Sequence, residues 1–356
     1  DPDALVSRDQ EGSQQSCLHL ACDHGHVDVC RLLLGNCEAC SWNPCDVNAQ
    51  DGRGNSSLHL CAASGDIRCM KLLLQCGAAV DIRDAYGNTP LLSALHEGHG
   101  EAVLWLLRAG ADPLAENQSW ESPLMFCLEK GLSELLTVIL EIHPQLSSAA
   151  LDGDRQTPLH VACKFGDPQS VAVLLSHGAD PMARDACHRT GLHVACNKDY
   201  ASCVDTLLAF ASESQDRGDG PHANLLDDLL SAKDSHGRTA LMGCISQKHL
   251  ESLEVLLDYE PLSAFLESHD SVLQETPLHA AIRRKSLPML KMLVGCIQRN
   301  LQVVESSPTL GSSSVSIVQF LQVCNARGQT PLSAAMESRQ EEMVQLLETL
   351  LQQEKV

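Results

Sequence analysis

Apolar residues recur along the chain in short helical stripes, separated by Gly, Pro and polar turn residues. The cleanest copy runs from residue 157 to residue 190. Thr157 is a helix-capping residue, and Pro158 follows at the one helical position where a missing backbone N–H costs nothing. The pattern predicts a short apolar helix from Leu159 to Lys164, broken at Gly166. Asp167-Pro168 repeats the cap-and-proline signal, and Val171, Val173, Leu174 and Leu175 line a second helix that Gly178 ends. A polar stretch from Asp185 to Thr190 turns back toward the next copy. The same pattern is anchored at Leu18, Leu58, Leu91, Leu124, Leu159, Leu192, Leu241, Leu278 and Leu332. The spacings are 40, 33, 33, 35, 33, 49, 37 and 54, so the base period is 33 with insertions. One such helix pair cannot bury its apolar face alone, whereas stacked neighbours can.

Around the anchors stand Asp84-Ala-Tyr-Gly-Asn-Thr-Pro-Leu, His160-Val-Ala-Cys, Gly77-Ala and Gly110-Ala-Asp. Thr-Pro-Leu-His is complete at Thr157 and at Thr276. In these motifs the sequence resembles the ankyrin repeat family over roughly residues 10–350. The resemblance implies an all-α repeat solenoid of about nine stacked helix pairs with short projecting hairpins or loops. It also implies that proteins or peptides bind on the concave and hairpin-tip face, and it supplies no catalytic residues. The array is expected over residues 1–350, with a C-terminal capping or linking helix at 341–356 striped by Met343, Val344, Leu346, Leu347, Leu350 and Leu351.

Three departures and four insertions break the regularity, the first being Leu92, Met125, Met242 and Ser333 in place of the motif's His. The Gly between helices is Asp199, Lys248, Lys285 and Arg339 in the last four repeats, and the hairpin Gly is Trp120, Arg155 and His188 in repeats four to six. Insertions fall near 35–45, 212–230, 259–270 and 295–323, longer than ordinary connections. They read either as tolerated surface growth or as contact segments. The Leu-rich half of the second, Asn224 to Leu230, should pack as a short helix.

Composition narrows the function classes. The chain has 356 residues, 46 acidic against 25 basic, a formal charge of −21. That field repels nucleic acid, and no basic stripe relieves it. No run of 18 apolar residues offers direct membrane insertion. Seventeen Cys recur at apolar helical positions such as Cys22, Cys61 and Cys163, which reads as buried thiols of a reduced intracellular protein. The cytoplasm is the expected compartment, with the nucleus also open. The chain starts at Asp1 without Met, so it reads as a piece of a longer protein whose other domains are themselves candidate partners.

Catalytic chemistry finds little footing. His96-Glu97-Gly98-His99 is one residue short of the zinc-protease pattern. Cys37, Cys40 and Cys45 are the only metal candidates; free thiols in an insertion are the plainer reading, because no second Cys-x2-Cys follows. No phosphate-binding or nucleophile-elbow motif occurs. His19, His59, His160, His193 and His279 share one repeat position, which marks a scaffold hydrogen-bonding role. No cofactor and no enzyme activity are expected.

The expected role is a protein-interaction module in a larger intracellular scaffold or adaptor. The alternatives are an intramolecular clamp on another domain of the same chain and a substrate-recruiting arm of a ubiquitin ligase. The candidate contact residues are Tyr86, Trp120, Arg155, Lys164, Phe165, His188, Arg189, Lys198 and Tyr200, from the tips and first-helix ends of repeats three to six. Aromatic and Arg side chains dominate interface energetics, and this chain has only eleven aromatics.

Overall fold

The computed structural model describes residues 5–8, 14–35, 45–216, 224–259, 273–306 and 317–353. The chain forms two compact units, Asp1–Leu146 and Ser147–Val356. The first opens with a short antiparallel hairpin of β1 (Leu5–Arg8) and β2 (Gln14–Ser16), which the helical pattern did not foretell. Four helix pairs follow: α1 (Cys17–Asp23) and α2 (Val27–Leu33), α3 (Ser57–Ser64) and α4 (Ile67–Gln75), α5 (Pro90–His96) and α6 (Gly100–Arg108), α7 (Pro123–Lys130) and α8 (Ser133–Ile142). The second unit runs α9 (Pro158–Phe165), α10 (Pro168–Ser176), α11 (Gly191–Lys198), α12 (Ala201–Asp216), α13 (Leu225–Ser231), α14 (Ala240–Gln247) and α15 (Leu250–Tyr259). It ends with α16 (Pro277–Arg283), α17 (Leu287–Ser306), α18 (Ile317–Gln322), α19 (Pro331–Glu337) and α20 (Glu341–Gln353).

Within each unit, first helices stack on first helices and second on second, as α3 on α1 and α4 on α2, or α11 on α9 and α12 on α10. Helices start at Pro90, Pro123, Pro158, Pro277 and Pro331, where the cap-and-proline signals stand. The segment Asn224 to Leu230 forms α13, which buries Leu225, Leu229 and Leu230 and packs on α12. Much of the 295–323 insertion is helical as well, because α17 continues to Ser306 and α18 begins at Ile317. Asp199, Lys248, Lys285 and Arg339 keep the left-handed turn of the Gly they replace, with φ of 61°, 66°, 55° and 54°. At Asp199 the carboxylate accepts the Ser252 backbone N–H at 3.0 Å, so the side chain itself ties this turn to the next repeat.

The core is Leu, Ala and Cys with few aromatics, which suits helices that approach closely. Four buried thiols gather between the first two repeats: Cys22 Sγ lies 3.6 Å from Cys30 Sγ, and Cys30 Sγ lies 3.9 Å from Cys69 Sγ, with Cys61 alongside. Burial pushes the Cys127 and Cys203 thiols up to about 12 and Cys163 well above its usual 9.0. Such thiols stay protonated and packed as small apolar groups. No disulfide bond joins any of the fifteen described cysteines; Cys37 and Cys40 lie outside the described residues, and Cys45 is buried. Titration of the denatured, unreduced protein should therefore find at least fifteen of the chain's seventeen cysteines as thiols. In the native protein the exposed Cys187 and Cys324 should react ahead of the buried ones. A count lower by two or more would mean bridges and an oxidising compartment.

Candidate partner-binding surface

Each projecting tip is built by one Asx turn. Asp84 Oδ1 accepts the backbone N–H of Tyr86 at 2.8 Å and of Asn88 at 2.7 Å. Asn117 does the same for Ser119 and Glu121, and Asp185 for Cys187 and Arg189. The tips are laced by backbone hydrogen bonds within each unit. In the first, Ala85 N–H donates to Arg53 O and Gln118 N–H to Tyr86 O, both at 3.0 Å. In the second, Ala186 N–H donates to Asp154 O at 2.8 Å and Ser235 N–H to Cys187 O at 2.9 Å.

Where a repeat carries the recurring histidine, that ring fastens the following tip to its own helix start. His160 Nδ1 accepts the Thr157 backbone N–H at 3.2 Å, and its Nε2–H donates to Arg189 O of the next tip at 2.9 Å. His59 reaches Asn88 O, His193 reaches Arg238 O and His279 reaches Gln329 O in the same way. Only the neutral Nε2–H tautomer satisfies both ends. Burial lowers the pKa of all four rings from the usual 6.5, the bonded carbonyl only partly offsetting it.

The fourth residue of each tip turns left-handed. Gly87 fills that place in repeat three, but Trp120, Arg155 and His188 fill it in the next three, with φ of 61°, 57° and 58°. A non-Gly residue pays roughly 1–2 kcal/mol there. Trp120 is 78% exposed and Tyr86 is 68% exposed, so neither ring owes its place to the core. The cost falls at solvent-facing positions, where packing gives nothing back.

The nine candidate residues do not form one cluster. Tyr86 and Trp120 stand on tips of the first unit. Arg155, His188 and Arg189 stand on tips of the second, ahead of α9 and α11, whereas Lys164, Phe165 and Lys198 stand at the far ends of those helices. Eight residues of helix place the two sets about 12 Å apart. Two residues have partners that their repeat position does not announce. Arg189 clasps the buried Asp185 of its own tip, Nη2 to Oδ2 at 2.7 Å. Burial alone would raise the Asp185 carboxyl, but the Arg189 contacts hold it below its usual 3.8. Tyr200 lays its ring over Gly166, where an added Cβ would come within 2.7 Å of the ring. Lys164 Nζ rides 5.6 Å from the Phe165 ring centroid. The Asp-x3-Arg spacing at 185 and again at 234 was the available signal for the tip clasp. Trp105 lies beneath Lys71 Nζ at 4.0 Å from its centroid, a contact no local pattern announces.

Comparison with known proteins follows the same lines. The profile for ankyrin repeats in three copies matches residues 18–117 and 192–305, and the single ankyrin repeat matches 154–186. The chain belongs to the ankyrin repeat family. Ankyrin repeats are scaffolding modules that generally mediate protein–protein interactions, and no group of His, Cys, Asp or Glu among the described residues could hold a metal ion. No described helix is long and apolar enough to cross a membrane. The ankyrin array is similar to the transient receptor potential cation channel subfamily A member 1 of Drosophila melanogaster, 28% identical over 51% of this chain and 16% of that one. It is also similar to the E3 ubiquitin-protein ligase KEG of Arabidopsis thaliana, 25% identical over 80% of this chain and 17% of that one. The chain thus spans about a sixth of these relatives' length. Among solved structures, the human ASB11 ankyrin repeat domain is similar at 25% identity and a TM-score of 0.49, covering 69% of this chain and 98% of that one.

Proposed function

We propose that this array is the partner-binding segment of a larger intracellular scaffold or adaptor, working in a reducing compartment, and that it holds a partner protein with its tips, those of repeats three and four in the first unit and those of repeats five and six in the second. The observation that carries the reading is the series Trp120, Arg155 and His188 at three successive left-handed tip positions. Backbone strain at exposed positions points to use of the side chains that bear it. Tyr86 adds a second exposed ring on the tip before them. Arg189 supports this surface by fixing one tip, whereas Tyr200 sits at an interhelical turn on the other edge. Lys164, Phe165 and Lys198 belong to a separate edge.

The test separates binding from stability. Replacing Trp120 or His188 by Gly removes left-handed strain while adding chain entropy, so the folded state should gain about 0.5–1 kcal/mol. Partner capture by the full chain should fall more than tenfold for Trp120→Gly, the loss of an aromatic hot spot. Unaltered capture with raised stability would remove the tips from the proposed site. The ligase among the relatives makes recruitment of a substrate one form this binding could take; ubiquitin transfer to the captured protein, lost in Trp120→Gly, would distinguish it from an intramolecular clamp, whose capture needs only the chain's own domains.

A further inference from the structure

A second surface lies at the opposite edge of the first unit, where the two helices of each repeat meet. There the residue ahead of each second helix reaches back over the Gly of the preceding repeat. Asp66 lies over Gly25 and the His99 ring over Gly65, each so close that a Cβ on the Gly would come within 2.9 Å of it. In the second unit Tyr200 covers Gly166 and His249 Nδ1 bonds Cys196 O at 2.8 Å. Over Gly98 the series fails. Leu132 holds that position, and a Cβ on Gly98 or on Gly100 would meet nothing within 4 Å. The gap is a cavity of about 400 Å³ between α5, α6 and α8, walled by Leu95, Val103, Leu132 and Leu135. That volume and apolar lining are those of a binding groove.

The rim states the charge of its occupant. Glu134 lines the opening and Glu97 and Glu101 flank Gly98 and Gly100, all three exposed. No Lys or Arg lines the groove; Lys130, next to Gly131, rides the Phe126 ring, and Arg108 stands at the other end of α6. His96 bonds Glu121 at 2.9 Å. Neither α6 nor α8 carries a side-chain cap, and residues of both helix starts, Gly100 on α6 and Ser133, Glu134 and Leu135 on α8, line the groove; the Gly100 N–H itself donates to Gly98 O at 3.1 Å. A polypeptide offers carbonyl oxygens for uncapped helix starts, an aliphatic stem for the apolar walls and a cationic head for the carboxylates. We infer that the Gly98–Leu132 groove docks a basic segment of a partner protein through a Lys or Arg side chain, on a surface independent of the tips.

The probe is a tetrapeptide, acetyl-Leu-Arg-Arg-Leu-amide, titrated into the isotope-labelled full chain, with acetyl-Leu-Glu-Glu-Leu-amide as its acidic counterpart. The basic peptide should shift the amide signals of Gly98, Gly100, Ser133 and Leu135 and leave those of Tyr86 and Trp120 in place. Gly100 has ordinary backbone geometry at the first position of α6, so Gly100→Leu fills the groove without strain and should melt no lower than the parent. That variant should abolish the shifts, and Glu134→Lys should weaken the basic peptide about tenfold. Three outcomes would each overturn the assignment: shifts that survive Gly100→Leu, equal or stronger binding of the acidic peptide, or no shift at ~10 mM peptide. None of them bears on the tip surface, whose own test is capture by Trp120→Gly.

Discussion

Stability of the array should fall steeply as the pH drops from 7 toward 5. His59, His160, His193 and His279 are buried with pKa values below the usual 6.5. In the unfolded chain each titrates near 6.5, so below that pH the unfolded state binds more protons than the folded one. Stability is fully present above 6.5 and is lost as the pH falls toward the folded values. Each histidine contributes a slope of up to about 1.4 kcal/mol per pH unit within that window. Protonation also places an Nδ1–H against the donor it accepted from, the Thr157 N–H in the case of His160. Asp185 and Asp234, lowered below 3.8, act only at more acid pH, and in the same direction. Urea unfolding at pH 7.5 and 5.5 measures the effect. The chain itself supplies the control, since Leu92, Met125 and Met242 stand at the histidine position in other repeats. His160→Met should cost about 1–2 kcal/mol at pH 7.5, for the lost hydrogen bonds to Arg189 O and Thr157 N–H. It should also flatten the acid slope by about one histidine's share. Equal stability at the two pH values would mean that these rings are not held neutral by burial.

The regular parts of this fold were legible because each signal had a local cause. Prolines behind Thr or Ser fix helix starts, Gly fixes stops, and leucines three and four apart fix the buried stripe. The capping role of the histidines was legible for a different reason: a residue that recurs at one repeat position serves the scaffold. The individual interface was much harder to read. Nothing near residue 200 in sequence says that Tyr200 lies over Gly166, because the contact joins residues one repeat apart. The groove at Gly98 was hidden for the same reason, being visible only as a missing contact when successive interfaces are compared. Likewise Arg189 reads as a free cation until its tip turns it onto Asp185. The candidate residues share neighbouring repeats, but the helix between tip and turn separates them by its own length.

Gly166→Ala should destabilise the second unit far more than Gly98→Ala destabilises the first. Both glycines are left-handed, with φ of 79° and 77°, so both substitutions carry the same backbone cost of roughly 1–2 kcal/mol, less a gain in unfolded-state entropy. Their surroundings differ. At Gly98 the new methyl enters open space, whereas at Gly166 it meets Cδ1 and Cε1 of Tyr200 at 2.7 Å. Those atoms belong to a ring whose residue also starts α12, where Tyr200 O accepts the backbone N–H of Cys203 at 3.0 Å and of Val204 at 3.1 Å. The ring cannot withdraw without disturbing that helix start, so overpacking adds about 1–3 kcal/mol. Gly98→Ala should therefore cost about 1 kcal/mol and Gly166→Ala about 2–4 kcal/mol. Tyr200→Ala, which strips a ring only 36% exposed, should itself cost about 2 kcal/mol and relieve the clash. In that background Gly166→Ala should cost no more than Gly98→Ala does, a coupling of at least about 1 kcal/mol between the two sites. Chemical unfolding of the four members of this cycle, with Gly98→Ala beside them, decides the matter. Additive costs would mean that the ring is not seated on Gly166 and would return Tyr200 to the candidates for partner contact.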